Sequence, residues 1–168
     1  IEENFISSDE CQRLIDFADA NKKENVSRDD VYSTEIEWID HGATYYGNNV
    51  DPVTAESDDD AVIKVTEKCK TFADCELIYA GVVRWPVGTF MKPHFDKNDV
   101  HGEDVFAAML YLNDDFNGGS TIFEHMEVKP ETGKLIIFSN SQYLHHVSKV
   151  DTNERYVLSF WYKYPKPV

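Results

Sequence analysis

The residues best equipped for chemistry begin at Lys92-Pro93-His94-Phe95-Asp96. His94 and Asp96 stand two apart in a stretch of strand character, and side chains two apart in a strand share a face. One imidazole and one carboxylate can therefore reach a single metal ion. Leu144-His145-His146-Val147 offers a further imidazole, and Arg155 follows in the apolar run Arg155-Tyr156-Val157-Leu158-Ser159-Phe160-Trp161-Tyr162. Two histidines and a carboxylate, with other positions left open, are the facial set suited to non-haem Fe(II). In a strand His145 and His146 face opposite ways, so at most one can point at the metal. His41, His101 and His125 lack a carboxylate at ligand spacing and read as surface or packed residues.

Short strands separated by turn residues must position these groups. From Leu77 onward the candidates are Leu77–Trp85, Thr89–Asp96, Val105–Leu112, Ser120–Glu127, Lys134–Phe138, Leu144–Val150 and Arg155–Tyr162. Pro86-Val87-Gly88, Asn117-Gly118-Gly119, Glu131-Thr132-Gly133 and Asn140-Ser141 supply the turns between them. Upstream the character is helical. Ser7 and Glu10 form a capping box, after which Cys11, Leu14, Ile15 and Ala18 recur at helical spacing. The charged stretch 21–30 ends that helix. Glu35 to Ile39 alternates weakly like a strand, and 42–60 reads as an exposed loop. Asp58-Asp59-Asp60 suits the positive end of a helix, whose apolar stripe is Val62, Val65, Cys69 and Phe72. Helices first and strands after predict an α+β, mainly β chain: a jelly roll with N-terminal helices packed on one sheet. The expected division is one domain over 1–168, with helical support and a loop in 1–76 and the jelly-roll core in 77–168.

A length of 168 residues suits one domain with a sizeable core. The net charge of −15 argues against a nucleic-acid partner, which needs a basic face. No run approaches the roughly 20 apolar residues of a membrane span, so no membrane partner is expected. No basic-then-apolar leader opens the chain, and the missing initiator Met suits a trimmed or processed polypeptide. Cys11, Cys69 and Cys75 lack metal-type spacing. They read as reduced thiols of an intracellular, cytoplasmic protein in preference to a Cys69–Cys75 disulfide.

The run from Arg84-Trp85-Pro86 through Gly88 to His94-Phe95-Asp96 resembles the prolyl 4-hydroxylase pattern of the Fe(II)/2-oxoglutarate dioxygenases. Further motifs follow in order: Tyr111-Leu112-Asn113-Asp114, Gly118-Gly119-Ser120-Thr121-Ile122-Phe123, Pro130-x-x-Gly133, His145-x-Val147, and Arg155-Tyr156 with Trp161-Tyr162. The opening Asn4-Phe5-Ile6-Ser7 with Glu10-Cys11 is also similar to that family. The resemblance covers nearly the whole chain and is weakest from about Asn25 to Asp60. It implies a double-stranded β-helix, with Fe(II), 2-oxoglutarate and O2 as cofactor and co-substrates and ascorbate as a supporting reductant.

The resemblance also implies roles. His94, Asp96 and His145 become the metal ligands, because the family has a valine two residues after its distal histidine and Val147 stands two after His145. Charge bookkeeping then asks for a cation: Fe(II) with one carboxylate is singly positive, 2-oxoglutarate is doubly negative, and one negative charge remains. Arg155 supplies it, since a guanidinium grips a carboxylate through two parallel hydrogen bonds; a surface salt bridge is its competing reading. In a regular strand Arg155, Val157, Ser159 and Trp161 share the pocket face. Tyr111 resembles the tyrosine that bonds the distal carboxylate of 2-oxoglutarate, with Thr121 assisting, although a core tyrosine would look the same. Trp161, Trp85 and Asp104 are the candidates for substrate contact, and plain core packing competes for Trp161.

The implied reaction hydroxylates a substrate C–H, with peptidyl proline as the family default, and releases succinate and CO2. The ending from Arg155 to Tyr162 is more similar to the oxygen-sensing hydroxylases than to the collagen type, which has Lys where Arg155 stands. The sensors, however, carry a substrate-contacting arginine where this chain has Asp104. The expected partner is a proline-containing protein or peptide, or else a small molecule, and the expected state is monomer or homodimer. Any lid over the site is expected from 26–60, because 97–103 is short. Hydroxylation of a free amino acid and a non-enzymatic metal-binding jelly roll are the rival readings. Nucleic-acid dealkylation has a second arginine where Trp161 stands and is opposed by the acidity.

Overall fold

The computed structural model describes residues 1–20, 43–44, 59–95, 105–139 and 142–165. Apart from 43–44 and 59–60, the lid segment 26–60 lies outside these residues, as do the Glu35 to Ile39 strand, the stretch that ends the first helix, Asp96 and Asp104. Two helices, α1 (Ser8–Ala20) and α2 (Asp60–Lys70), accompany eleven described strands. These are β1 (Ala43–Thr44), β2 (Glu76–Trp85), β3 (Met91–His94), β4 (Val105–Tyr111), β5 (Asn117–Gly118), β6 (Thr121–Phe123), β7 (Met126–Val128), β8 (Leu135–Phe138), β9 (His145–Val147), β10 (Val150–Thr152) and β11 (Arg155–Lys163).

Local chemistry starts both helices. The Ser7 amide donates to Glu10 Oε2 at 3.0 Å and the Glu10 amide to Ser7 Oγ at 3.2 Å, which closes the capping box. Asp59 is the N-cap of α2, its Oδ1 accepting from the Ala61 amide at 3.0 Å. Val62, Val65 and Cys69 are buried as their spacing predicts, but Phe72 is 66% exposed. Thr71 caps the helix before the stripe reaches Phe72, whose ring instead lies under the Lys68 ammonium at 5.6 Å.

The strands form an antiparallel jelly roll with a major sheet β1-β2-β11-β4-β8 and a minor sheet β3-β9-β6-β7, flanked by the pair β10-β5. Both helices pack on the outer face of the major sheet. Cys11, Leu14 and Ala18 of α1 and Val62, Val65 and Cys69 of α2 meet Ala80, Val82, Ala108, Leu110, Leu158, Phe160 and Tyr162. The inner face presents Trp85, Tyr111, Ile136 and Val157 to Val128 and Val147 of the minor sheet. The alternation expected along β11 is thus realised: Tyr156, Leu158, Phe160 and Tyr162 face the helices, and Val157 faces the interior. At the β2–β11 pairing the register shifts between Trp161 and Tyr162, which returns Leu77 to the helix side.

Two expected strands are in fact pairs. The run 120–127 folds into the hairpin β6–β7, with Thr121 opposite Val128 and Phe123 opposite Met126. The run 144–150 divides into β9 and β10, and Asn117-Gly118, expected as a turn, pairs with β10. Gly133 supplies a close crossing, because at φ +81 a side chain there would run into the Ile6 carbonyl. Its own carbonyl accepts from the Phe5 amide at 2.7 Å, tying the entry of α1 to the sheet. All three cysteines are free and buried, as expected of reduced thiols. Among the described residues no helix is long and apolar enough to cross a membrane.

Candidate active site

His94 ends β3 and His145 begins β9, and the antiparallel register sets them directly opposite. Their ring centroids lie 4.4 Å apart. His94 Nδ1 bonds the Lys92 carbonyl at 2.6 Å and His145 Nδ1 bonds the Tyr143 carbonyl at 2.9 Å. A carbonyl only accepts, so in both rings Nδ1 carries a proton, and the neutral ring then has its lone pair at Nε2. A metal-binding imidazole needs that tautomer, with its other nitrogen tethered. Phe138 meets the His145 ring edge-on at 5.0 Å and Phe123 lies 6.0 Å away, leaving His145 5% exposed in a largely apolar wall. His146, opposite Ile122, takes the other face of β9. Among the described residues no group of three His, Cys, Asp or Glu gathers at one point. Asp96, two residues beyond His94, lies outside them.

At the other end of the same interior sits Arg155, fully buried. Its guanidinium carbon lies 4.6 Å from the Trp85 ring centroid and 5.4 Å from that of Tyr111. Nη2 donates weakly to Met109 Sδ at 3.5 Å. Nε and Nη1 are buried without a hydrogen-bond partner, and no carboxylate pairs with the group among the described residues. Burial pushes its pKa down, against an opposing electrostatic interaction with Tyr111. The surface salt bridge entertained for Arg155 is therefore overturned. A buried cation bordered by ring faces and a thioether, with Nε and Nη1 unpaired, is costly unless an anion joins it.

Two hydroxyls border this cation. The Tyr111 hydroxyl and Thr121 Oγ1 are 2.6 Å apart, and Tyr111 also reaches the Val128 carbonyl at 3.5 Å. A bidentate acceptor lying against Arg155 and these hydroxyls would satisfy the orphaned N–H groups. Space for the arginine depends on Gly119, at φ +65, where a Cβ would sit 2.9 Å from Arg155 Cδ and from the Phe116 ring.

Trp85, expected in the substrate pocket, is buried against Arg155. Trp161 is half-buried on the interior-facing row of β11. Register sets it opposite Ala107, which is opposite Phe138, the residue that touches His145. Trp161 therefore stands at the level of the histidine pair, while Arg155 and Tyr111 occupy the far end. Asp104 lies outside the described residues. Sequence reasoning missed Met109, Phe116, Gly119 and Phe138. Met109 shares the Tyr111 face by strand parity, which could have found it; the others are disclosed only by contacts between distant segments.

A double-stranded β-helix with paired imidazoles at one end of its interior and, at the other, a buried arginine with no carboxylate partner among the described residues has the architecture of an iron- and oxoacid-dependent oxygenase. Residues 80–163 match the sequence model of the 2OG-Fe(II) oxygenase superfamily, and the chain belongs to that superfamily. It is a 2-oxoglutarate-dependent dioxygenase domain, whose cofactor and co-substrates are Fe(II), 2-oxoglutarate and O2. Over 65 residues, 34% of this chain, it is 35% identical to prolyl 3-hydroxylase 2 of Mus musculus, and it spans 9% of that relative's length. Among solved structures it is similar to the collagen prolyl hydroxylase of Paramecium bursaria Chlorella virus-1 in complex with 2OG. The TM-score is 0.69 at 18% identity, covering 98% of this chain and 94% of the viral one. The prolyl-4-hydroxylase of Pseudomonas putida gives a TM-score of 0.69 at 21% identity, over 98% of this chain and 91% of its own. At these identities the structural likeness is one of fold.

Proposed function

We propose that this domain hydroxylates a proline C–H within a peptide or protein, converting 2-oxoglutarate to succinate and CO2. The observation that carries the reading is the buried guanidinium of Arg155, with Nε and Nη1 unpaired, facing the same interior as the tethered imidazoles of His94 and His145. The residues fit the group they would hold. His94 and His145 would coordinate Fe(II) through Nε2, with Asp96 as the carboxylate ligand. Arg155 would grip the distal carboxylate of 2-oxoglutarate, with Tyr111 and Thr121 as hydroxyl donors. When bound, the iron supplies O2 activation coupled to oxidative decarboxylation and delivers one oxygen atom to the substrate C–H.

The protein contributes position and dryness. Two Nδ1 tethers hold the imidazole planes, so no ring reorients when the metal binds. Phe123 and Phe138 keep water from His145. Arg155, already stripped of water, pairs more strongly with a carboxylate than an exposed arginine would. Trp161, half-buried at the histidine level, would form a wall against the substrate, and Asp104 would meet the peptide from the segment before β4. The names of the similar proteins favour peptidyl proline over a free amino acid.

Anaerobic titration of the Fe(II)-loaded protein with 2-oxoglutarate tests the site without knowledge of the substrate. A saturable visible charge-transfer band is expected from bidentate chelation. Proline-containing peptides should then raise succinate release and gain 16 Da, about one oxygen atom, in step with it. An iron-loaded, folded protein that gives no band would overturn the reading.

A further inference from the structure

Asn113 belongs to the motif Tyr111-Leu112-Asn113-Asp114, lies just past the end of β4, and has no part in the chemistry above. Its side-chain amide makes three hydrogen bonds. Oδ1 accepts from the Tyr156 amide at 2.8 Å, while Nδ2 donates to the Glu154 carbonyl at 2.8 Å and to Asp115 Oδ1 at 2.7 Å. The orientation of the amide is set by its partners, because a backbone N–H only donates and a carbonyl only accepts.

Two of those bonds fall on either side of one Cα. The Glu154 carbonyl belongs to the planar peptide unit that precedes Arg155, and the Tyr156 amide to the unit that follows it. Those planes define the two soft dihedrals of Arg155. A single rigid amide therefore holds both φ and ψ of the residue that carries the buried guanidinium, and with them the direction of its Cα–Cβ bond. On one edge of this strand β2 already holds the backbone, with Arg155 opposite Trp85 and Tyr156 opposite Arg84, but the edge toward β4 lacks that support. The β4–β11 pairing ends with Tyr111 opposite Val157, and the last backbone bond beyond it runs from the Leu112 amide to the Tyr156 carbonyl at 3.0 Å. Asn113 supplies the next rungs with its side chain. Asn153, at φ 55, extends the clasp by donating Nδ2 to the Asp115 carbonyl at 2.6 Å.

We propose that Asn113 is a positioning residue for the co-substrate: it holds the backbone of Arg155 so that the guanidinium meets the distal carboxylate of a 2-oxo diacid. The inference rests on the reading of Arg155 given above. Binding constellations tolerate angular errors of only about 10–20°, and Nε and Nη1 of Arg155 have no hydrogen-bond partner to restore their aim. The partners of Asn113 are Asp115, Glu154 and Tyr156 and include neither His94 nor His145, so its effect should follow the distal carboxylate alone.

The test compares 2-oxoglutarate with 2-oxopentanoate, which has the same carbon chain without the distal carboxylate. Dissociation constants are measured on the Mn(II)-loaded full chain by calorimetry. Wild-type protein should prefer the diacid strongly. In Asn113→Leu that preference should fall by about tenfold or more, through weaker diacid binding, while the monoacid and Mn(II) bind as before. The Arg155 Nε–H resonance should shift or broaden as well. Ser7→Ala, which loosens the distant start of α1, controls for stability and should leave the preference unchanged. If Asn113→Leu does not fold, Asn113→Asp, which keeps the acceptor and loses the donor, carries the same expectation. A folded variant that retains the wild-type preference would overturn the proposal. Wild-type protein that binds both acids equally would instead overturn the reading of Arg155 and take this inference with it.

Discussion

Replacing Arg155 by Met should make the metal-loaded protein more heat-stable without co-substrate and far less sensitive to 2-oxoglutarate. The guanidinium is fully buried, and Nε and Nη1 have no hydrogen-bond partner. Exchanging a buried, uncompensated ionic group for an apolar side chain of similar length stabilises by about 1–4 kcal/mol. The face of Trp85, 4.6 Å away, already returns part of this as a cation–π contact, on the order of 1–2 kcal/mol when desolvated. A net gain of up to about 3 kcal/mol follows, and for a domain of this size each kcal/mol moves Tm by about 2–4 °C. Arg155→Met should therefore melt up to roughly 12 °C higher than wild type. Adding 2-oxoglutarate at about 100 times its Kd should stabilise the wild type by about 2.7 kcal/mol and erase most or all of that difference. In the variant, loss of one partner of a buried charge pair costs about 2–5 kcal/mol of binding, or about 30-fold to several thousand-fold in Kd, so the same addition should stabilise it by less than about 1 kcal/mol. Differential scanning fluorimetry with Mn(II) and no O2 reads both effects. A variant that melts lower than wild type and still responds to 2-oxoglutarate as wild type does would refute the assignment of Arg155 as an anion-seeking buried cation.

His145→Ala should abolish Fe(II) binding while His146→Ala keeps most of it, since only the His145 ring faces His94; equilibrium dialysis separates the two, and the reverse pattern would shift the ligand to His146. Gly119→Ala, at φ +65 and 2.9 Å from Arg155 Cδ, should destabilise by about 1–3 kcal/mol and raise the KM for 2-oxoglutarate; a wild-type denaturation midpoint and KM would contradict the packing. Burial pushes Cys11 up to about 11 and Cys69 up to about 12. The folded state thus holds thiol protons that the unfolded chain gives up from about pH 8.5. Fewer protons bound in the unfolded state means that stability falls as pH rises, by up to about 1.4 kcal/mol per pH unit for each thiol between pH 9 and the folded value. Urea denaturation between pH 8 and 10.5 should show this slope, and Cys69→Ala should flatten it; an unchanged slope would assign the alkaline loss to other groups.

Local signals carried far in this chain. Ser7 and Glu10 start α1 because their hydrogen bonds close within four residues, and the strand period alone separates Arg155 and Val157 from Tyr156 and Leu158. Charge bookkeeping on an Fe(II) site already asked for a cation at Arg155. Where a signal had to come from a distant segment, the reading went astray or stopped. The hairpin at Glu124-His125 was hidden because neither residue is among the left-handed positions that mark a tight hairpin turn, and the alternation of 120–127 runs across it. Phe72 kept the period of α2 but fell beyond its cap. Parity showed that His145 and His146 face opposite ways, yet the side that meets His94 is set by the β3–β9 register, which a slip of one residue would invert. That Arg155 has no carboxylate partner among the described residues, in a chain of net charge −15, is decided only by the packing of Trp85, Met109 and Tyr111 around it. Periodicity and capping act between neighbours in the chain and can be read along it. Burial, register and the clasp of Asn113 on residues 41 and 43 positions away exist only once the sheets have closed.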